Sequence, residues 1–389
     1  MAQKPGSKPR AIFEEVADGN RASLAATAPG GIDKARRGAR GAIRAWLMVI
    51  FALVAIMIAV GGLTRLTGSG LSITEWAPVT GALPPMNAAD WQTEFTRYQA
   101  TPQYQLQNNG MSLNAFKALF WWEWGHRQLG RTIGLVWALG FVFFWATKRI
   151  PPGWTGRLLL LGALGGLQGA IGWWMVSSGL QTGMLRVASY RLATHLGLAF
   201  IIFGFTAWFI FQLGRREADL LQARRQAEPR LFGLGTTVMS LGFLQILLGA
   251  LVAGIDAGRA FPYWPTMDGA SFLPPDPFTL APVWRNFFED PGLVQFIHRC
   301  TAYLLVLLVL FTWTRARRSP NASIRAGFTM LAIWVLVQMT LGIFTVLYSA
   351  PVHLAIVHQV GAVVLWVLIL RARFLARYPL PQSIRGTTR

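Results

Sequence analysis

"EWGHRQLGRTIGLVWAL" (residues 123–139) and "QFIHRCTAYLLVLLVL" (295–310) decide how this chain is read. Each sets a His-Arg pair, His126-Arg127 and His298-Arg299, at the head of a run of apolar residues. Charged and ionisable groups beside lipid are costly and usually functional. Two such heads in matching positions predict a chain that repeats itself around a polar site.

Apolar runs near twenty residues recur along the whole 389-residue sequence, which is 53% hydrophobic and 13% charged. A run of that length crosses about 30 Å of hydrocarbon as a helix. The runs fall near 43–63, 125–146, 158–178, 192–213, 231–253, 292–314, 326–347 and 354–372. They predict an all-α polytopic membrane protein with eight transmembrane helices.

A net charge of +20 raises the question of nucleic acid, and the positions of the charges answer it. With the N-terminus assigned to the cytoplasm, the tail 1–44, the segments 147–157, 214–230 and 315–325, and the tail from 371 hold 26 of the 36 Lys and Arg. This is the positive-inside asymmetry. The basicity encodes topology, with both termini cytoplasmic, and no nucleic-acid partner is expected. Residues 1–42 are polar, mixed in charge and rich in Ala, Gly and Arg, and read as a disordered cytoplasmic tail. The first apolar run begins too far in, and is too long, for a cleaved signal peptide. Glu14, Glu15 and Asp18 argue against a mitochondrial transit peptide. The lone cysteine, Cys300, excludes an internal disulfide and a thiolate metal cluster and reads as a small buried helix residue.

The repeat extends beyond the two opening stretches. "GGLTRLTGSG" (61–70) matches "GALVAGIDAG" (249–258), each followed by a Trp, Trp76 and Trp264, and then by Leu-Pro-Pro at 83–85 and 273–275. "RLATHLGLAFIIFG" (191–204) parallels "HLAIVHQVGAVVLWVL" (353–368). The third, fifth and seventh segments share a Gln four residues before a Gly: Gln168 and Gly172, Gln245 and Gly249, Gln338 and Gly342. The expectation is two four-helix halves, 43–213 and 231–372, joined by a cytoplasmic linker 214–230 and ending in a cytoplasmic tail 373–389. An even number of crossings per half makes the repeats parallel, related by an axis along the membrane normal.

Four of the five histidines, His126, His195, His298 and His358, take equivalent places in the first turn or so of the even-numbered segments, two in each half. Two imidazoles at matched depth on different helices are what bis-histidine haem ligation requires. Zinc is less apt, because three or four ligands with the usual spacing are not gathered anywhere. Arg127 and Arg299 can offer a bidentate fork to haem propionates or snorkel to the interface, as can Arg131, one turn beyond Arg127. At the offset of Arg131 the second half has Tyr303. Three residues before His126 stands Glu123, where the second half has Gln295. A carboxylate there shares a helix face with His126 and can take a proton, orient a water or stabilise positive charge, unless it simply pairs with Arg127. His353 lies about 140° round a helix from His358 and reads as a loop or interface residue. Glu75 and Trp76 sit in a Gly- and Pro-rich outer loop, and 86–118 reads as an amphipathic lid along the membrane surface.

Taken together, "GGLTRLTGSGLSITEWAPVTGALPP", "EWGHRQLGR", "RLATHLGLA", "IHRCTAY" and "HQVGA" resemble the haem A synthase family over roughly 43–372. Without paired outer-loop cysteines, the chain is similar to the alphaproteobacterial and mitochondrial subgroup. The resemblance implies oxidation of the haem O C8 methyl group to a formyl, giving haem A for cytochrome oxidase. It implies that His126 and His195, with Arg127 and Arg131, bind the substrate haem with Glu123 close to the reacting edge. It also implies that His298 and His358 ligate the iron of a resident haem b, with Arg299 as a propionate candidate. A bacterial inner membrane, a haem O-forming prenyltransferase as supplier and the cytochrome oxidase assembly machinery are the implied setting. A non-enzymatic di-haem b-type cytochrome relaying electrons to or from quinone fits the four histidines equally well. A haem-free transporter or assembly factor is a further alternative. The prenyltransferase itself is a poor match, since the sequence contains no Asp-x-x-x-Asp.

Overall fold

The computed structural model describes residues 31–382. Among these residues every regular element is helical. The helices are α1 (Gly31–Leu66), α2 (Ala88–Gln99), α3 (Pro102–Leu106), α4 (Leu113–Ala146), α5 (Thr155–Gly179), α6 (Ser189–Leu213) and α7 (Glu217–Arg225). They continue with α8 (Pro229–Gly254), α9 (Ala257–Ala260), α10 (Asn286–Glu289), α11 (Pro291–Ala316), α12 (Ala322–Leu347) and α13 (Val352–Arg377). Eight of them, α1, α4, α5, α6, α8, α11, α12 and α13, are long and apolar enough to cross a membrane. The protein is a multi-pass membrane protein.

Large apolar side chains are exposed in helical stripes, as lipid-facing surfaces require. On α11, Leu304, Leu307 and Phe311 are 56%, 64% and 47% exposed, and α12 shows Met330, Ile333 and Val337 in the same way. In hydrocarbon a helix satisfies its own backbone, so such a face is stable there and nowhere else. Several helix starts are fixed locally. Asp290 caps α11 by accepting from Leu293 N–H ahead of Pro291, and Asn321 caps α12 by accepting from Ser323 and Ile324.

Packing follows the repeat. Helix α1 packs on α4 and α6, and α5 on α6, while α8 packs on α11 and α13, and α12 on α11 and α13. The two sets meet through α6 against α8, and through α13 against α1 and α6. One core joins α1, α4, α5 and α6 with the Trp366 region of α13, and a second joins α8, α11, α12 and α13. Trp366 donates its indole N–H to the carbonyl of Phe200 across the divide, at 3.2 Å. This arrangement is consistent with two four-helix halves.

Two boundaries differ from expectation. Helix α1 is already helical at Gly31, ahead of residue 43, and the rest of the tail lies outside the described residues, as does 383–389. Helix α4 begins at Leu113 rather than 125, where Ser112 caps it by accepting from Ala115 N–H at 3.3 Å. Its added turns are held by aromatic packing. Phe116 packs on Phe95 and Tyr98 of α2 and Phe120 on Trp91, with Tyr104 at the margin. The expected lid over 86–118 is therefore a small helical cap with its own core, and α4 grows out of the membrane into it.

Candidate functional site

The four histidines fall on α4, α6, α11 and α13. Each lies about nineteen residues short of the far end of its helix, roughly 28 Å at helical rise. Their common depth, near one face of the bundle, is a property of the fold. The expectation that all four lie in a first turn or so is not met: His195, His298 and His358 stand about two turns into their helices, and His126 about four, because α4 starts so much earlier. The four fall two to each half, His126 and His195 on α4 and α6, His298 and His358 on α11 and α13.

Each imidazole rests against a glycine of another spanning helix. A methyl built on Gly61 of α1 would stand 3.2 Å from His126 Nε2. On Gly172 it would meet His195 Cε1 at 2.9 Å, on Gly249 His298 Cε1 at 3.2 Å, and on Gly342 His358 Cε1 at 3.0 Å. These glycines are seats: only hydrogen at Cα lets the ring lie where it does. The spacing of Gln before Gly seen in the sequence now has a partner. Nε2 of Gln168, Gln245 and Gln338 donates to the main-chain carbonyl of His195, His298 and His358 at 3.0, 3.0 and 2.9 Å. The same nitrogen lies 3.1–3.3 Å from ring nitrogens of that histidine. In all three the amide oxygen is buried without a partner.

Next to the first pair, Glu123 is 3% exposed and fully engaged. Its Oε1 accepts from Arg127 Nε and Nη2 at 3.1 and 2.6 Å, and its Oε2 accepts from the Ser72 hydroxyl and the Ile73 N–H, both at 2.9 Å. Arg127 donates further to the carbonyls of Ile73 and Glu75, leaving one N–H. Arg131 donates to the carbonyls of Ala77 and Pro78. The two arginines clamp the loop that follows α1, and Trp76 on that loop stacks on Trp173 beside the seat of His195. In the second half Arg299 accepts the same task, bonding Gln295 Oε1 at 2.9 Å and the carbonyls of Phe261 and Thr266. Tyr303, at the offset of Arg131, holds Trp264 through an indole N–H at 2.9 Å. The pairing of Glu123 with Arg127, open in the sequence, is present, and Arg131 and Tyr303 do one job by different chemistry.

His353 is exposed and stands apart from the site. Beside His358, Gln359 reaches the other half and donates to the carbonyl of Ile58 on α1 at 2.6 Å, with its amide against Gly62. Asp256, at the end of α8, pairs with Arg65 of α1 at 2.5 Å and with Arg186 of the α5–α6 loop. Reasoning from sequence missed Ser72, Gln359 and Asp256 as connectors. Only the Gln-before-Gly spacing carries a visible signal, and in the sequence it marks the repeat rather than a contact to the histidines.

The donor set suits one kind of group. Among the described residues no three His, Cys, Asp or Glu side chains converge on a point, so a metal held by side chains alone has no such site. A metal that brings its own equatorial ring needs only two further nitrogens, and each half carries two histidines, each resting against a glycine. A family model described as cytochrome oxidase assembly protein matches residues 44–370. The chain belongs to this family. Members similar to it include the haem A synthases of Ruegeria sp. (strain TM1040), 62% identical over 97% of this chain and 99% of the relative, and Dinoroseobacter shibae, 62% identical over 98% and 99%. That of Paracoccus denitrificans is 59% identical with both chains fully covered. For a cytochrome oxidase assembly protein, the site near one membrane face is the part whose chemistry needs explaining.

Proposed function

We propose that this chain is a haem A synthase, an oxidoreductase that converts the C8 methyl group of haem O to a formyl group, giving haem A for cytochrome oxidase. The observation that carries this is the difference between the halves. Both offer a histidine pair seated on glycine, but only the first places a buried carboxylate, Glu123, one turn before its histidine. The passive di-haem cytochrome accounts for four histidines but not for a buried charge at Glu123, since Gln295 serves Arg299 in the second half without one.

In this reading His298 and His358 would hold a resident haem b by its iron, and His126 and His195 would hold the substrate haem. Bound haem supplies the redox chemistry, and the chain supplies position, exclusion of water and a proton site. Glu123 can take a proton at Oε2 without losing Ser72, because a hydroxyl turns from donor to acceptor, whereas the N–H groups around it cannot. Arg127, with most donors on Glu123 and the loop, fixes the carboxylate. Arg299 and Arg131 each leave two N–H groups free and Arg127 one, so Arg299 and Arg131 are the better propionate candidates.

The division into 43–213 for the substrate haem and 231–372 for haem b follows from the same assignment. The basic segments place both termini in the cytoplasm and the histidines near the outer face of a bacterial inner membrane. A haem O-forming prenyltransferase is the supplier and the oxidase assembly machinery the recipient. The test is haem extraction and chromatography after co-expression with a haem O source. Haem A in the extract is expected, and a preparation holding only haem b and unaltered haem O refutes the reading.

A further inference from the structure

Three of the four histidines are held by a glutamine four residues before their glycine seat, and His126 is not. The residue four before Gly61 is Met57, in the place that Gln245 takes in the second half. A thioether donates no hydrogen bond. Among the described residues no side chain hydrogen-bonds the His126 imidazole, while Gln168, Gln245 and Gln338 each fasten both ring and main chain of their histidine. The ring itself is turned differently. His126 presents Nε2 to its glycine, where the other three present Cε1. Met57 instead turns its methyl toward Gly130, one turn beyond His126 on α4, where a methyl built on that glycine would stand 3.5 Å from it.

The side chain beside a metal-binding imidazole sets how firmly its ring is held. Each of the other three histidines has an amide against its ring, anchored on that histidine's main-chain carbonyl. His126 has none. The first half therefore combines one fastened ligand, His195, with one free to swing. A site whose occupant must enter as substrate and leave as product needs that combination, and a site with a permanent occupant needs two fastened ligands, as His298 and His358 are.

We propose that His126 is the releasable ligand of the first-half haem site, and that Met57 is the positioning residue that leaves it free. This rests on the reading of the first half as the substrate-haem site. The experiment uses the purified full-length chain saturated with haem b as probe, reduced with dithionite and mixed with carbon monoxide, which binds only where an axial ligand has let go. In the wild type one haem of the two is expected to bind carbon monoxide, and that population persists in His298→Ala. Met57→Gln is expected to slow its binding about threefold to tenfold, the worth of one added hydrogen bond. Gln168→Met, which frees the opposite ligand, is expected to speed it, and carries the test if Met57→Gln does not accumulate. Unchanged rates in both variants, or a carbon-monoxide-binding haem that belongs to the second half, overturn the proposal. A first half that takes up neither haem b nor haem O overturns both this proposal and the function it rests on.

Discussion

Glu123 and Arg127 lie one helical turn apart on α4 and are joined by two hydrogen bonds, of 2.6 and 3.1 Å, in a setting where the carboxylate is almost wholly buried. Their twins in the second half, Gln295 and Arg299, keep the geometry without the negative charge. Nature has thus already made the conservative substitution within one chain. Glu123→Gln is expected to fold, to retain its haem b spectrum and to form no haem A in cells supplied with haem O. Haem A output equal to wild type would remove Glu123 from the chemistry.

Arg127→Ala is a different matter. It leaves the buried Glu123 charge unpaired and releases the carbonyls of Ile73 and Glu75. Breaking a buried pair in this way costs about 3–5 kcal/mol. A lower unfolding temperature in detergent is expected for Arg127→Ala than for Glu123→Gln, and faster proteolysis of the loop at 72–78.

The glycine seats predict a local and reversible-looking defect. Gly342→Ala places a methyl 3.0 Å from His358 Cε1. Crowding of this kind costs about 1–3 kcal/mol and must tilt the ring. The expected outcome is a weakened or shifted second-half haem signal in the reduced-minus-oxidised spectrum, with the first half unaltered. Gly166→Ala, where nothing stands within 4 Å, is the control and is expected to change nothing.

His298→Ala and His358→Ala are each expected to abolish the second-half haem b spectrum of the protein as purified, whereas His353→Ala leaves it intact. Loss of the same spectrum in His353→Ala would reassign the ligand on α13.

Asp256 ties the halves by pairing with Arg65 and Arg186. Asp256→Ala leaves two guanidinium groups facing each other in a site where Arg65 is only 19% exposed. A loss of about 3 kcal/mol is expected, the lower end for a broken buried pair, measured as thermal unfolding in detergent.

The sequence made the eight spanning helices and the paired histidines legible, because membrane length and the recurrence of His126, His195, His298 and His358 are carried by residue type alone. It hid the start of α4, since "LNAFKALFWWEW" has lipid-facing, cap-facing and charged residues in one stretch and matches no single period. It also hid what the arginines do. Arg127, Arg131 and Arg299 bond main-chain carbonyls of distant loops, and a carbonyl is the same whatever residue bears it. The role of Met57 was invisible for a related reason: it is defined by a bond that its twin makes and it does not.

Helix α4 runs 34 residues without a break, about 51 Å, well beyond the thickness of the hydrocarbon it crosses. Its outer turns are locked into the aromatic cap, and Glu123 and His126 follow within two turns of Phe120. Cap and site are therefore mounted on one stiff rod. A partner that grips the cap, some distance above the membrane, has a lever on Glu123 and His126.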